Sequence, residues 1–133
     1  MRNKTTITVL FVIAALYDGV LGLAFLIAPA AIFQRCGVVP PNHFGYVHFP
    51  AALLLVFTVM FAAIAWAPSR NRNLIPYGIM LKICYSGVVF CHWLGRGIPN
   101  MWKGFAIADL AFLVLFVMAY RWIGQRRDLH LPL

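Results

Sequence analysis

Three charged side chains lie inside long apolar stretches of this sequence, and they are the residues best suited to chemistry. They are Asp18, Lys82 and Asp109. A charge at the centre of a bilayer costs about 2.5–3.5 kcal/mol even on insertion-based scales, so such residues usually face a bundle interior and have a function. These three residues therefore mark the expected site, although they do not identify a reaction.

The composition is that of a membrane protein. Hydrophobic residues make up 63% of the 133 residues, whereas soluble domains contain about 45–50%. The length allows about four membrane helices of ~20 residues and short connections, which predicts a single domain over residues 1–133. The net charge of +8 comes from basic residues at the ends of the apolar segments. There they would contact lipid headgroups, so we expect the bilayer as partner and no nucleic acid.

Four apolar segments predict four helices, and prolines bound them. Pro29 and Pro68 follow the first and second segments, where a helix cannot easily continue. Pro40 and Pro41 predict irregular structure in the longest connection, residues 34–48. The expected fold is all-α, a polytopic four-transmembrane-helix bundle with up-down-up-down order. The predicted helices cover about residues 6–28, 49–67, 74–94 and 104–123.

Lys and Arg are unevenly distributed between the two sides of this predicted bundle. One side has seven of them: Arg2, Lys4, Arg70, Arg72, Arg121, Arg126 and Arg127. The other side has three: Arg35, Arg96 and Lys103. Because Lys and Arg are enriched in cytoplasmic segments, this asymmetry predicts that both termini are cytoplasmic. We expect an integral protein of a bacterial cytoplasmic (inner) membrane.

Helical spacing predicts a buried ion pair between the first and third helices. Asp18 shares a face with small residues that include Gly22, which would let a neighbouring helix approach closely. Lys82 begins a polar stripe that continues with Tyr85 and His92. At about 1.5 Å per residue, Asp18 and Lys82 lie ~15 and ~18 Å from the outer ends of their helices. Their similar depth predicts that they interact near the middle of the membrane.

A second polar layer is predicted above this pair. Asp109 is ~8 Å from the outer end of its helix, and His48 and His92 are closer still to the outer surface. Asp109 also shares its face with Phe105 and Phe112, which form an aromatic wall. The full predicted ligand-binding set is Asp18, His48, Lys82, Tyr85, His92, Phe105, Asp109 and Phe112.

This set favours a site that binds or passes a small apolar or amphipathic molecule, such as a quinone, a lipid or an aromatic compound. Lys82 and Asp109 would suit an oxygen or carboxylate group on that molecule. One alternative is a membrane redox or metal-dependent enzyme subunit with His48, His92 and Asp109 as metal or haem ligands. A second is a structural partner protein whose ion pair is inert. No catalytic residue, cofactor or metal is assigned, and we expect a homo-oligomer or an accessory subunit of a larger membrane complex.

Several short motifs resemble those of a known group of proteins. They are Tyr17-Asp18-Gly19-Val20-Leu21, Pro29-x-x-x-Phe33, the loop from Gly37 through Pro40 and Pro41 to Tyr46-x-His48-Phe49, Arg70-Asn71-Arg72, Lys82, and Ile107-Ala108-Asp109. In these motifs the chain is similar to the small four-helix membrane proteins grouped as BphX-like, which resemble DoxX-like proteins in shape. This resemblance implies an accessory membrane protein near oxidative or aromatic-degradation functions, and it highlights the same three charged residues.

Overall fold

The computed structural model describes residues 3–133, and this part of the chain is helical with no strand. Arg2, counted above among the basic residues, lies outside the described residues. Four of the helices are long and apolar enough to cross a membrane. The helices are α1 (Lys4–Ile27), the short α2 (Pro29–Arg35), α3 (Gly45–Trp66), α4 (Ile75–Leu94) and α5 (Asn100–Asp128), and a 3-10 turn at Arg72–Leu74 precedes α4.

The four long helices alternate in direction, as predicted. Thr8 near the start of α1 donates a hydrogen bond to the Ala65 carbonyl near the end of α3, at 3.1 Å. Near the start of α4, Arg72 donates from Nε to the Tyr120 carbonyl of α5, at 2.9 Å. Phe11 of α1 stacks on Phe116 of α5, with ring centroids 4.8 Å apart. The bundle therefore has a terminal end, where α1 and α4 begin and α3 and α5 end, and an opposite end that we call the loop end.

The helices pack mainly as two pairs, α1 with α3 and α4 with α5. The small-residue stripe of α1 faces α3, because a Cβ on Gly22 would lie 2.8 Å from the Ala51 carbonyl oxygen. On α4, a Cβ on Gly78 would lie 2.7 Å from the Phe61 ring. Contact between α3 and α4 is otherwise slight. α3 and α4 therefore approach closely near Gly78 and separate towards the loop end.

The terminal half of the bundle has a solid apolar core. Its centre is a cluster of rings from three helices, in which Phe61 of α3 packs on Phe116 of α5 at 5.2 Å and on Phe11 of α1 at 6.0 Å. All three rings are fully buried. These rings fill the space between the three helices at this level of the bundle.

Two predicted helix boundaries near the loop end differ from the observed ones. The second long helix begins at Gly45 rather than at residue 49, so Pro50 lies inside it and the Tyr46 carbonyl loses its usual N–H donor. Residues 29–35 form α2, so the irregular connection is shorter than predicted.

The last long helix runs over Asn100–Asp128 instead of 104–123. It starts directly after Pro99, and Gly104 does not interrupt it. At its other end Gln125, Arg126 and Arg127, which are good helix formers, extend it beyond the apolar segment.

Candidate functional site

The three intramembrane charges form a single cluster. The Lys82 ammonium nitrogen Nζ donates a hydrogen bond to Asp18 Oδ1 at 3.0 Å, and it lies 3.0 Å from Asp109 Oδ1. Asp18 and Lys82 are each 1% exposed and Asp109 is 6% exposed. We call these three residues the triad. The predicted contact between Asp18 and Lys82 is confirmed, and it joins α1 to α4.

The position of Asp109 corrects the prediction that placed it in a separate outer layer. Asp109 contacts Lys82 directly, at the same depth as Asp18. The reason is that α5 starts at Asn100. The four extra residues add about 6 Å of helix above Asp109 at about 1.5 Å per residue.

Three aromatic rings also lie close to the Lys82 ammonium. Its nitrogen lies 5.2 Å from the ring centroid of Phe112, 5.5 Å from that of Tyr17 and 5.8 Å from that of Phe61. Ring faces attract cations, most strongly where water is excluded. The ammonium thus has two carboxylate partners and three ring partners.

Two polar atoms near this cluster are buried without a hydrogen-bond partner among residues 3–133. They are Asp18 Oδ2 and the Tyr17 hydroxyl oxygen. Buried polar groups usually have partners, and leaving one unpaired costs about 1–3 kcal/mol. Asp18 therefore keeps a free acceptor, the oxygen that Lys82 does not use.

Two polar residues of the α4 stripe bind α4 to α5. The Tyr85 hydroxyl donates to the Trp102 carbonyl at 3.1 Å, and Ser86 Oγ donates to the Ala106 carbonyl at 3.3 Å. Both acceptors lie in the first two turns of α5. Ser86 therefore has a packing role, whereas the half-buried Tyr85 also reaches the cavity described next.

A cavity of about 700 Å³ lies between the two helix pairs in the loop half of the bundle. All three triad residues are part of its wall, and the remaining lining is almost entirely apolar and aromatic. Tyr46 and Leu53 line the cavity and are also exposed, so it reaches the bundle surface beside α3. The lining residues are Asp18, Leu21, Phe25, Phe33, Val38, Val39, Pro41, Tyr46, Val47, Pro50, Ala51, Leu53, Leu54, Phe57, Leu81, Lys82, Tyr85, Pro99, Trp102, Phe105 and Asp109.

Five of the eight predicted site residues line this cavity, namely Asp18, Lys82, Tyr85, Phe105 and Asp109. The other three do not. Phe112 lies beside the Lys82 ammonium and packs on Tyr17 at 5.3 Å, away from the cavity wall.

His92 is exposed, and His48 is half-buried with its ring 6.3 Å from that of Phe44. Ten residues at about 100° each turn His92 ~80° away from Lys82 around the helix axis. His48 is not part of the cavity wall, although its neighbour Val47 is. The two histidines therefore do not cap the triad.

The arrangement of possible metal ligands gives no support to the redox alternative. Over residues 3–133 no group of three or more His, Cys, Asp or Glu side chains is close enough to hold a metal ion. His48, His92 and Asp109 lie apart.

Most of the cavity wall consists of residues that were not predicted from the sequence. Phe25 and Phe33 come from α1 and α2, and Phe57 comes from α3. Phe25 stacks on Trp102 at 5.9 Å, so it reaches across to α5. These residues are apolar among many apolar residues, and periodicity alone does not separate those that line a void from those that pack against a neighbour. Tyr17, whose ring faces Lys82, precedes Asp18 in the sequence and could have been identified only as its neighbour.

Comparison with known proteins returned no match to any protein-family model, curated protein or solved structure.

Proposed function

We propose that this protein is an integral membrane protein that binds or passes a small apolar or amphipathic molecule in the cavity beside the triad. The observation that carries this proposal is the location of the triad in the wall of a largely apolar cavity. Small-molecule sites generally combine an apolar lining with a few convergent polar groups, at volumes of about 300–1,000 Å³. The cavity falls within this range.

The shape of the cavity supports access from the membrane. Leu53, near the middle of α3, lines the cavity and is also exposed on the bundle surface. The cavity therefore opens between α3 and α4 at the level of the membrane interior. A molecule dissolved in the bilayer would reach the triad through this gap without crossing water. Quinones, lipids and apolar aromatic compounds are the classes that fit such a route, and the BphX-like resemblance belongs to the same proposal.

The proposed orientation has both termini in the cytoplasm of a bacterial cell and the cavity in the outer half of the inner membrane. Six described basic residues lie at the terminal end: Lys4, Arg70, Arg72, Arg121, Arg126 and Arg127. Three lie at the loop end: Arg35, Arg96 and Lys103. This asymmetry supports a cytoplasmic terminal end.

The experiment is photolabelling of the purified protein in phosphatidylcholine nanodiscs with a neutral decyl alcohol that carries a diazirine. We expect labelled peptides to include cavity residues such as Leu54 and Phe57, and excess unlabelled quinone or decanol to compete. Leu54→Trp, which places a larger side chain in the cavity, should abolish this labelling. Leu16→Trp is the matched control, because Leu16 is 62% exposed on α1 and outside the cavity wall.

Labelling confined to outward-facing residues in both variants and in the unmodified protein would contradict the proposal. In that case the triad would be a packing device between the helix pairs.

A further inference from the structure

The charge of the triad indicates which kind of polar group the cavity accepts. Two carboxylates and one ammonium have a net charge of −1 when all three are ionised. The cluster is buried, so water screens this charge weakly. A single positive charge from a bound molecule would bring the cluster to neutrality.

The Lys82 ammonium already has two anionic partners. Its nitrogen lies 3.0 Å from Asp18 Oδ1 and from Asp109 Oδ1. An incoming carboxylate would be a third negative group beside this one cation. Like charges at such distances repel strongly in a low-dielectric site. The expectation that Lys82 binds a carboxylate of the ligand is therefore disfavoured by the charge of the triad.

Asp18, by contrast, has a free acceptor. Its Oδ2 atom is buried and has no hydrogen-bond partner within residues 3–133, and Asp18 is part of the cavity wall. A carboxylate oxygen only accepts hydrogen bonds, so the group that satisfies it must be a donor. A hydrogen bond between a charged donor and a carboxylate is stronger than one between neutral groups.

The aromatic part of the wall also fits a cation. Phe25, Phe57, Trp102 and Phe105 line the same cavity as the triad. Aromatic faces attract ammonium groups, and their apolar surface also accommodates a hydrocarbon body.

From these contacts we infer that the molecule bound in the cavity is a lipophilic amine whose protonated nitrogen donates to the triad carboxylates and whose apolar body lies against the aromatic wall. This inference rests on the proposed function, because it names the chemistry of the molecule that the cavity binds.

The test compares three photoreactive decyl probes that differ only in the polar end: an amine, an alcohol and a carboxylate. The protein is held in phosphatidylcholine nanodiscs, which have no net lipid charge. We expect the amine to label cavity residues at a concentration about tenfold lower than the carboxylate requires, because a hydrogen bond between a charged donor and a carboxylate is stronger than a neutral one and a carboxylate probe would be repelled. The protein's own net charge of +8 attracts anions, so surface electrostatics alone would favour the carboxylate probe over the amine probe.

Asp18→Asn tests the residue directly, because it removes the negative charge while preserving the shape of the side chain. We expect it to weaken amine labelling about tenfold and to change alcohol labelling less than about twofold. Asp128→Asn is the matched control, since Asp128 is exposed at the end of α5. Circular dichroism and gel filtration test whether each variant is folded. If Asp18→Asn does not fold, Asp109→Asn is used in its place.

The outcomes separate this inference from the proposed function. Equal labelling of the cavity by all three probes would overturn the inference and leave the proposed function in place. Preference for the carboxylate would overturn it in favour of Lys82 as the ligand partner. Labelling of no cavity residue by any probe would overturn both.

Discussion

The contact between Lys82 and Asp18 joins the two helix pairs of the bundle, whereas the contact between Lys82 and Asp109 lies within the second pair. Both nitrogen–oxygen distances are 3.0 Å. One lysine on α4 therefore holds carboxylates from two other helices, directly beside the cavity that separates the pairs. We therefore expect substitutions of Lys82 to have the largest effects.

We expect Lys82→Met to destabilise the protein by about 3–5 kcal/mol, because it leaves two buried carboxylates without a cation. The free energy of unfolding can be measured by titrating the protein in mixed micelles with a denaturing detergent. Lys103→Met is the matched control, since Lys103 is half-buried over the Trp93 ring at the loop end.

Adding Asp18→Asn to Lys82→Met should recover part of the loss, and adding Asp109→Asn as well should recover more. Strictly additive losses across this series would show that the three side chains are not energetically coupled.

The close approach of α1 and α3 makes Gly22 sensitive to substitution. Gly22→Ala would place its Cβ 2.8 Å from the backbone oxygen of Ala51, which cannot rotate away. We expect a loss of about 1–3 kcal/mol in the free energy of unfolding, the usual cost of overpacking. Gly104→Ala is the contrasting variant. Gly104 lies within α5, and a Cβ added there would have no neighbouring atom within 4 Å. It should stabilise the protein by about 0.5–1 kcal/mol, and equal effects at the two glycines would contradict this description of the helix contact.

The proposed orientation can be tested with a native cysteine. Cys36 is exposed at the end of α2, at the loop end of the bundle. In a variant with Cys84→Ser and Cys91→Ser, Cys36 is the sole remaining cysteine. A membrane-impermeant maleimide added to spheroplasts should then label it without permeabilisation.

The control is Gln125→Cys in a background that lacks the three native cysteines. Gln125 is exposed near the end of α5, at the terminal end. It should be labelled only after the membrane is permeabilised. The reverse pattern at the two sites would show that the bundle has the opposite orientation.

Homo-oligomerisation remains a prediction based on small residues on α3. Ala65 is buried against α1, so it is used inside the bundle, whereas Ala62 is exposed and available to another chain. Small exposed residues let helices of two chains approach closely in lipid. We expect native mass spectrometry from nanodiscs to detect a dimer, and Ala62→Leu to reduce it. A monomer at high protein loading would exclude self-association through this face.

The sequence by itself determined the four helices long and apolar enough to cross a membrane, their alternating direction, and the inward positions of Asp18 and Lys82. Apolar runs of the required length, bounded by prolines and basic residues, leave a helix as the spanning structure, because backbone groups in lipid must be satisfied within the segment. Helical periodicity then placed Asp18 and Lys82 on inward faces at similar depths, and their contact is confirmed.

Only the tertiary structure decided that Asp109 joins this pair and that the histidines do not. The depth of Asp109 depends on where α5 begins. This helix starts directly after Pro99 and continues through Gly104, so it begins about one turn earlier than predicted. His92 lies ten residues from Lys82, a distance over which the helix has turned away from the shared face. The cavity was beyond prediction for a related reason. Periodicity says which side of a helix points inward, but whether the inward sides meet or leave a gap depends on how whole helices pack. Here α3 and α4 meet closely at Gly78, and the cavity lies nearer the loop end.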